Sequence, residues 1–123
     1  MSLAFWCVLI AGLLPYAATI SAKVGVPFDN HNPRPWLLAQ SGWRARANAA
    51  QLNAFEAFPF FAAAVLTAYV IHGAQARVDH LAMAFIGCRL AYFGAYLGNA
   101  SSLRSLAWLG GIACVVAIFI TGT

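Results

Sequence analysis

Residues 41–72 read SGWRARANAAQLNAFEAFPFFAAAVLTAYVIH. After Arg46 the only acid or base before His72 is Glu56, and the remainder is mostly Ala, Phe, Leu and Val. A hydrocarbon core about 30 Å thick is crossed by about 20 residues of helix, and this stretch exceeds that length with Pro59 as its only strong breaker. It is therefore expected to be a membrane-spanning helix, the longest of the chain, with its span over about residues 45–72 and a stop at Gly73.

Working outward, three further apolar runs have the same character, over about residues 3–21, 80–97 and 103–120. The first carries Pro15, which a spanning helix tolerates because neighbouring helices satisfy the freed carbonyl. Val24 to Trp36, VGVPFDNHNPRPW, is dense in Pro, Asn and Asp and reads as the one substantial loop. Ala74 to Asp79 form a polar turn, and Gly98 to Ser102 break the third span from the fourth, with Ser101 or Ser102 expected as N-cap. The expectation is a single domain over residues 1–123, an all-α membrane protein built as a four-transmembrane-helix bundle.

Composition agrees. Of 123 residues 63% are hydrophobic and 8% charged, and the mean hydropathy is +0.77. Soluble domains carry about a quarter of their residues as Asp, Glu, Lys and Arg, so a water-facing surface cannot be assembled here and a soluble four-helix bundle is excluded. Lys23, Arg34, Arg44 and Arg46 belong to the first connection and Arg104 to the third, against Arg77 alone in the second. By the bias of basic residues, loops one and three are expected in the cytoplasm and both termini outside. No Lys or Arg precedes the first apolar run, so it lacks the basic start of a cleaved signal peptide and is read as retained.

Several chemistries find no support. Cys7, Cys88 and Cys114 lie in apolar runs with no CxxC spacing, and His31, His72 and His80 stand singly, so neither a disulfide framework nor a metal site is expected. No P-loop, GxSxG or dinucleotide fingerprint occurs. Phe55, Phe58, Phe60 and Phe61 read as packing residues, and Trp6, Trp36, Trp43 and Trp108 as interfacial anchors. Gly110 and Gly111, and Gly87 with Gly94, would permit close helix contacts.

What remains are polar residues with no place in lipid. Glu56 and Arg89 lie well inside spans, where each costs roughly 2.5–3.5 kcal/mol at a helix centre. Arg46, Asn53 and Glu56 are spaced i, i+7 and i+10 and share a face, with Asn48 and Gln51 beside it; Arg89, Tyr92 and Tyr96 are spaced i, i+3 and i+7. One reading is that Glu56 and Arg89 pair and fasten two helices. Against it, Arg46, Asn53, Tyr92, Tyr96, Arg104 and Ser105 gather towards the same half, and this excess of positive donors calls for an anionic ligand.

The run RANAAQLNAFEAFPFFAAAVL, Arg46 to Leu66, resembles the second-helix signature of the MAPEG superfamily, membrane-associated proteins in eicosanoid and glutathione metabolism. The run CRLAYFGAYLGNASSLRSLAW, Cys88 to Trp108, resembles that family's third and fourth helices, and DNHNPR, Asp29 to Arg34, is similar to the first loop of bacterial members. The resemblance implies a homotrimer in a bacterial inner membrane, with glutathione as cosubstrate between neighbouring protomers. Asn53, Glu56, Arg89 and Tyr96 match the family's glutathione contacts, Tyr92 joins them from the same stripe, and Arg46 begins the motif and is open to contribution from a neighbour.

Arg104 and Ser105 resemble the Arg-Ser pair that faces the thiol, and are the implied catalytic residues. A guanidinium within about 4–6 Å favours a thiolate and lowers a pKa by roughly 1–3 units. The implied activity is that of a glutathione-dependent transferase or peroxidase acting on hydrophobic electrophiles. The alternative is a non-catalytic lipid-binding or scaffold member. Three positions depart from the pattern: Gln51 stands where many members have His, Leu52 where eicosanoid enzymes have Arg, and Tyr92 where the prostaglandin synthase has His. The missing Arg at position 52 removes one carboxylate clamp.

Overall fold

The computed structural model describes residues 1–121. Four long helices, α1 (Leu3–Lys23), α3 (Gly42–His72), α4 (Ala76–Leu97) and α5 (Ser101–Ile120), are each long and apolar enough to cross a membrane, and a short α2 (Pro33–Leu38) lies between the first two. There is no strand among the described residues. The chain is an all-helical, integral membrane bundle. At most 33% of any spanning window is buried within the chain, so most of each helix faces outward, and Leu13, Ile20, Val70 and Leu106 lie among its exposed apolar side chains.

The buried residues of α1 are Ala4, Cys7, Ala11, Pro15, Ala18 and Ala22, a stripe of small side chains at helical spacing. Small residues let backbones approach closely, and α1 lies along α3, where Ala47, Ala50, Ala54, Ala64 and Ala68 answer it. A Cβ added at Gly12 would stand 3.3 Å from the Phe58 ring. Helix α5 packs on α4 and α3, and α4 also touches α1. A Cβ at Gly110 would come within 2.9 Å of Cys88 Sγ, so any larger residue there must displace that thiol. Gly87 and Gly94 have nothing within 4 Å of such an atom and make no comparable contact in the chain.

The core fills the half of the bundle holding the ends of the chain. Phe61 of α3 stacks on Phe85 of α4 with centroids 4.0 Å apart, and Val65, Val115 and Ile118 close around them. Asp79 of α4 reaches across to α1, where its Oδ1 accepts from the Ala4 N–H at 2.9 Å. That bond satisfies one of the donors a helix start leaves free.

At the other end α3 is long enough to project. Its 31 residues span about 46 Å, well beyond a hydrocarbon core, so its first turns carry Arg44 and Arg46 clear of the apolar layer. The stretch expected as loop through Trp36 turns helical from Pro33. Proline's fixed φ suits a first helical turn, where its missing N–H is not needed, and Leu37 buries against Ala22 and Ala47. The start of α5 also differs from expectation. Its N-cap is Ala100, with Ser101 already helical and no side-chain cap.

The α4–α5 turn explains that start. Asn99 adopts φ 58°, and the N–H groups of Gly98, Asn99 and Ala100 donate to the carbonyls of Gly94, Tyr96 and Ala95 at 3.0, 3.1 and 2.8 Å. Folding back this tightly sets Arg104 against the last turn of α4.

Candidate functional site

Three helices converge beneath that turn. Asn53 comes from α3, Arg89, Tyr92 and Tyr96 from α4, and Arg104 and Ser105 from α5. Arg89 is 6% exposed, and its Nη2 donates to Asn53 Oδ1 at 2.7 Å. The Arg89 guanidinium lies 4.5 Å from the Tyr92 ring centroid, Tyr92 meets Tyr96 edge-on at 5.6 Å, and Arg104 stands 4.6 Å from the Tyr96 ring. The result is a ladder of two aromatic rungs between two guanidiniums, each holding the next in orientation.

The ladder borders an open groove of about 390 Å³, lined by Asn53, Tyr92, Arg104, Ser105, Trp108 and Leu109. This lies within the range of about 300–1,000 Å³ typical of small-molecule sites. One side offers an amide, a phenol, a guanidinium and a hydroxyl; the other offers an indole and a leucine. No carboxylate lies within salt-bridge distance of Arg89 or Arg104 among the described residues. A buried or half-buried cation with only neutral partners is costly unless an anion completes it, and the groove leaves room for one.

The pairing of Glu56 with Arg89 does not form. Arg89 is turned to Asn53, and Glu56, one turn further along α3, is exposed. The site residues named from the sequence therefore divide. Asn53, Tyr92, Arg104 and Ser105 line one groove, with Arg89 and Tyr96 directly behind it. Arg46 lies elsewhere: its Nε and Nη2 donate to the Leu97 carbonyl at 3.2 and 3.1 Å. That carbonyl is the one left over when the α4–α5 turn has taken its three predecessors.

Trp108 and Leu109 escaped the sequence reading of the site, although they stand four residues after Arg104 and Ser105 and so on the same helical face. A second groove, of about 350 Å³, lies on the opposite flank of α3 between α2 and α3 and includes Arg34, Asn48, Gln51 and Leu52. The buried Oε1 of Gln51 accepts no hydrogen bond there.

A four-span helical membrane protein with a cationic groove inside its bundle is the class these features define. The model of the MAPEG family matches residues 3–122, nearly the whole chain, and the chain belongs to that family. The family includes glutathione transferases and peroxidases as well as non-catalytic members. No curated protein matches the chain.

Proposed function

We propose that this protein is a membrane-bound, glutathione-dependent transferase or peroxidase acting on hydrophobic electrophiles. The observation that carries the reading is the convergence of Asn53, Tyr92, Arg104 and Ser105 on one groove, backed by the buried Arg89. The residues present fit glutathione: two guanidiniums suit carboxylate and thiolate, while Asn53 and Tyr92 supply hydrogen-bonding groups. Bound there, glutathione supplies a sulfur nucleophile.

Arg104 favours the ionised form of that sulfur, an effect of roughly 1–3 pKa units at contact distance. The exposed Ser105 hydroxyl donates a hydrogen bond to the same charge. Tyr96 holds the Arg104 plane from beneath, and Asn53 holds Arg89, so neither cation must reorganise when the anion arrives. Trp108 and Leu109 present an apolar flank to the electrophile.

The same reading includes a homotrimer with the cosubstrate between protomers. Glu56 supports it: an exposed carboxylate about 21 Å along α3 lies at hydrocarbon depth, where it costs roughly 2.5–3.5 kcal/mol unless another protomer covers it. Arg34 and the unpartnered Gln51 Oε1 on the far flank of α3 are the groups a neighbour would present in return. Arg46 then serves the site by fixing the end of α4. The concentration of Lys23, Arg34, Arg44, Arg46 and Arg104 at one end supports an orientation with loops one and three cytoplasmic, while the bacterial inner membrane rests on the likeness of Asp29 to Arg34 to the first loop of bacterial members.

The test is glutathione titrated into the detergent-solubilised protein, followed by thiolate ultraviolet absorbance and by conjugation of chlorodinitrobenzene. Arg104→Ala is expected to lower kcat by about 10²–10³-fold with little change in Tm. A second reading, a non-catalytic lipid-binding or scaffold protein, draws support from the apolar Trp108 and Leu109 side of the groove. It requires saturable lipid binding and no thiolate signal.

A further inference from the structure

The turn between α4 and α5 closes the end of α4 incompletely. Asn99 holds the left-handed conformation at φ 58°, the Ala100 N–H reaches back to the Ala95 carbonyl at 2.8 Å, and the Asn99 N–H donates to that of Tyr96 at 3.1 Å. These are the two bonds of a Schellman closure. Gly98 takes the Gly94 carbonyl at 3.0 Å, so of the last four carbonyls of α4 that of Leu97 alone receives nothing from the turn. A helix end needs outside donors for such groups. Arg46 of α3 supplies them: its Nε and Nη2 both point at the Leu97 oxygen, at 3.2 and 3.1 Å.

This grip bears on the groove through short links. Tyr96, the neighbour of Leu97, has the Arg104 guanidinium 4.6 Å from its ring centroid. The Arg104 N–H donates to the Ala100 carbonyl at 3.0 Å. Side chain and backbone of Arg104 therefore both rest on the segment that Arg46 holds. Leu97 itself packs against Ala22, Leu37 and Ala47, the last of these next to Arg46 in α3. Arg46 is half-buried and lines neither groove.

We infer that Arg46 is a positioning residue: by gripping the Leu97 carbonyl from α3 it fixes the α4–α5 turn and, through Tyr96 and Ala100, sets where Arg104 stands over the groove. What Arg46 does for the reaction rests on the proposed glutathione-dependent function; its grip on the turn does not. This is a different part from the ligand contact implied by its place at the head of the second-helix motif. A misplacement of about 1 Å at a reacting centre costs on the order of 10²-fold in rate, so a residue outside the groove can weigh as much as one that lines it.

Three replacements in the full chain separate grip from charge. The Gln amide nitrogen stands as many bonds from the backbone as Arg Nε, so Arg46→Gln keeps one donor to Leu97 and removes the charge. Arg46→Lys keeps a donor and the charge, and Arg46→Met keeps the length and neither. Arg46→Met is expected to lower kcat for chlorodinitrobenzene conjugation about ten-fold with KM for glutathione within about two-fold. With Arg104 no longer held over the sulfur, the pH midpoint of the bound-thiolate absorbance is expected to rise by about one unit, and amide hydrogen exchange at Asn99, Ala100 and Arg104 to quicken. Arg46→Gln and Arg46→Lys are expected to keep kcat within about three-fold of the parent protein. A loss in Arg46→Gln equal to that in Arg46→Met, with Arg46→Lys active, overturns the inference, because the site then uses the charge and not the grip. Faster exchange in the turn with kcat and the thiolate midpoint unchanged also overturns it, because the turn then moves without the site. If the parent protein gives neither a thiolate signal nor conjugation, the proposed function falls, and exchange at Asn99 and Ala100 in Arg46→Met alone decides whether α3 grips the turn.

Discussion

At the end of the bundle near Asp79 the helices close on Phe61, Val65, Val115 and Ile118, each exposed by 1% or less, whereas at the charged end the same helices part around Asn53, Arg89 and Arg104. Alanine abounds in both halves, with Ala64, Ala68 and Ala82 in the first and Ala50, Ala54 and Ala107 in the second. Small residues alone therefore do not decide whether a bundle closes. In the first half they alternate with rings that interdigitate, and the lone acid is satisfied by a backbone N–H. In the second, two guanidiniums with no carboxylate opposite them keep the helices from meeting, because closing would strip both charges of solvent or ligand.

If that contrast is right, the largest single loss of stability comes from the closed half. Phe61→Ala removes a fully buried ring stacked on Phe85 and is expected to cost about 3–5 kcal/mol, read as a large drop in Tm in detergent. Glutathione affinity of the protein that remains folded is expected to stay as before. An equal loss of affinity would show that the halves are one mechanical unit and break the comparison.

A smaller and more discriminating change lies at the joint between α3 and α4. Asn53→Ala leaves the Arg89 guanidinium buried without its acceptor, at a cost of about 1–3 kcal/mol. Asn53→Asp does the opposite for stability by giving Arg89 a carboxylate. It also cancels the charge that attracts the ligand, so Tm is expected to rise while glutathione Kd weakens about ten-fold, as an added like charge beside an anion site requires. Unchanged affinity in Asn53→Asp, measured by titration calorimetry, would show that Arg89 does not draw the anion.

Much of this division can be read from the residues alone. In helices as apolar as these, Asn53, Arg89, Tyr92, Arg104 and Ser105 stand out because each is expensive in lipid, and their spacing places them on one face of each helix. Spacing says nothing about how far one helix is rotated or slid against the next. Asn53 and Glu56 lie on one stripe of α3, yet only Asn53 meets Arg89, while Glu56 is left exposed. Arg46 shares that stripe too, and its partner was set by the α4–α5 turn, which occupies three carbonyls and leaves that of Leu97. Helix α2 was hidden for a different reason. Pro33 and Pro35 signal a loop by composition but serve equally as a first helical turn, and only the burial of Leu37 decides between them.

The smallest expected effect concerns the one acid of the closed half. Asp79 Oδ1 takes the Ala4 N–H at the start of α1, where the helix end carries about half a positive charge, so the carboxylate is matched by a dipole and needs no base. Asp79→Ala is expected to cost about 1 kcal/mol, as loss of a helix cap does, while Asp79→Asn, which keeps an acceptor oxygen, should retain most of that. Amide hydrogen exchange at Ala4 and Phe5 should quicken in Asp79→Ala and leave Asn53 and Tyr92 unaffected. A loss approaching that of Phe61→Ala would mean that α1 is held to the bundle by this bond more than by its stripe of alanines, and the closed half would then owe its closure to a polar contact after all.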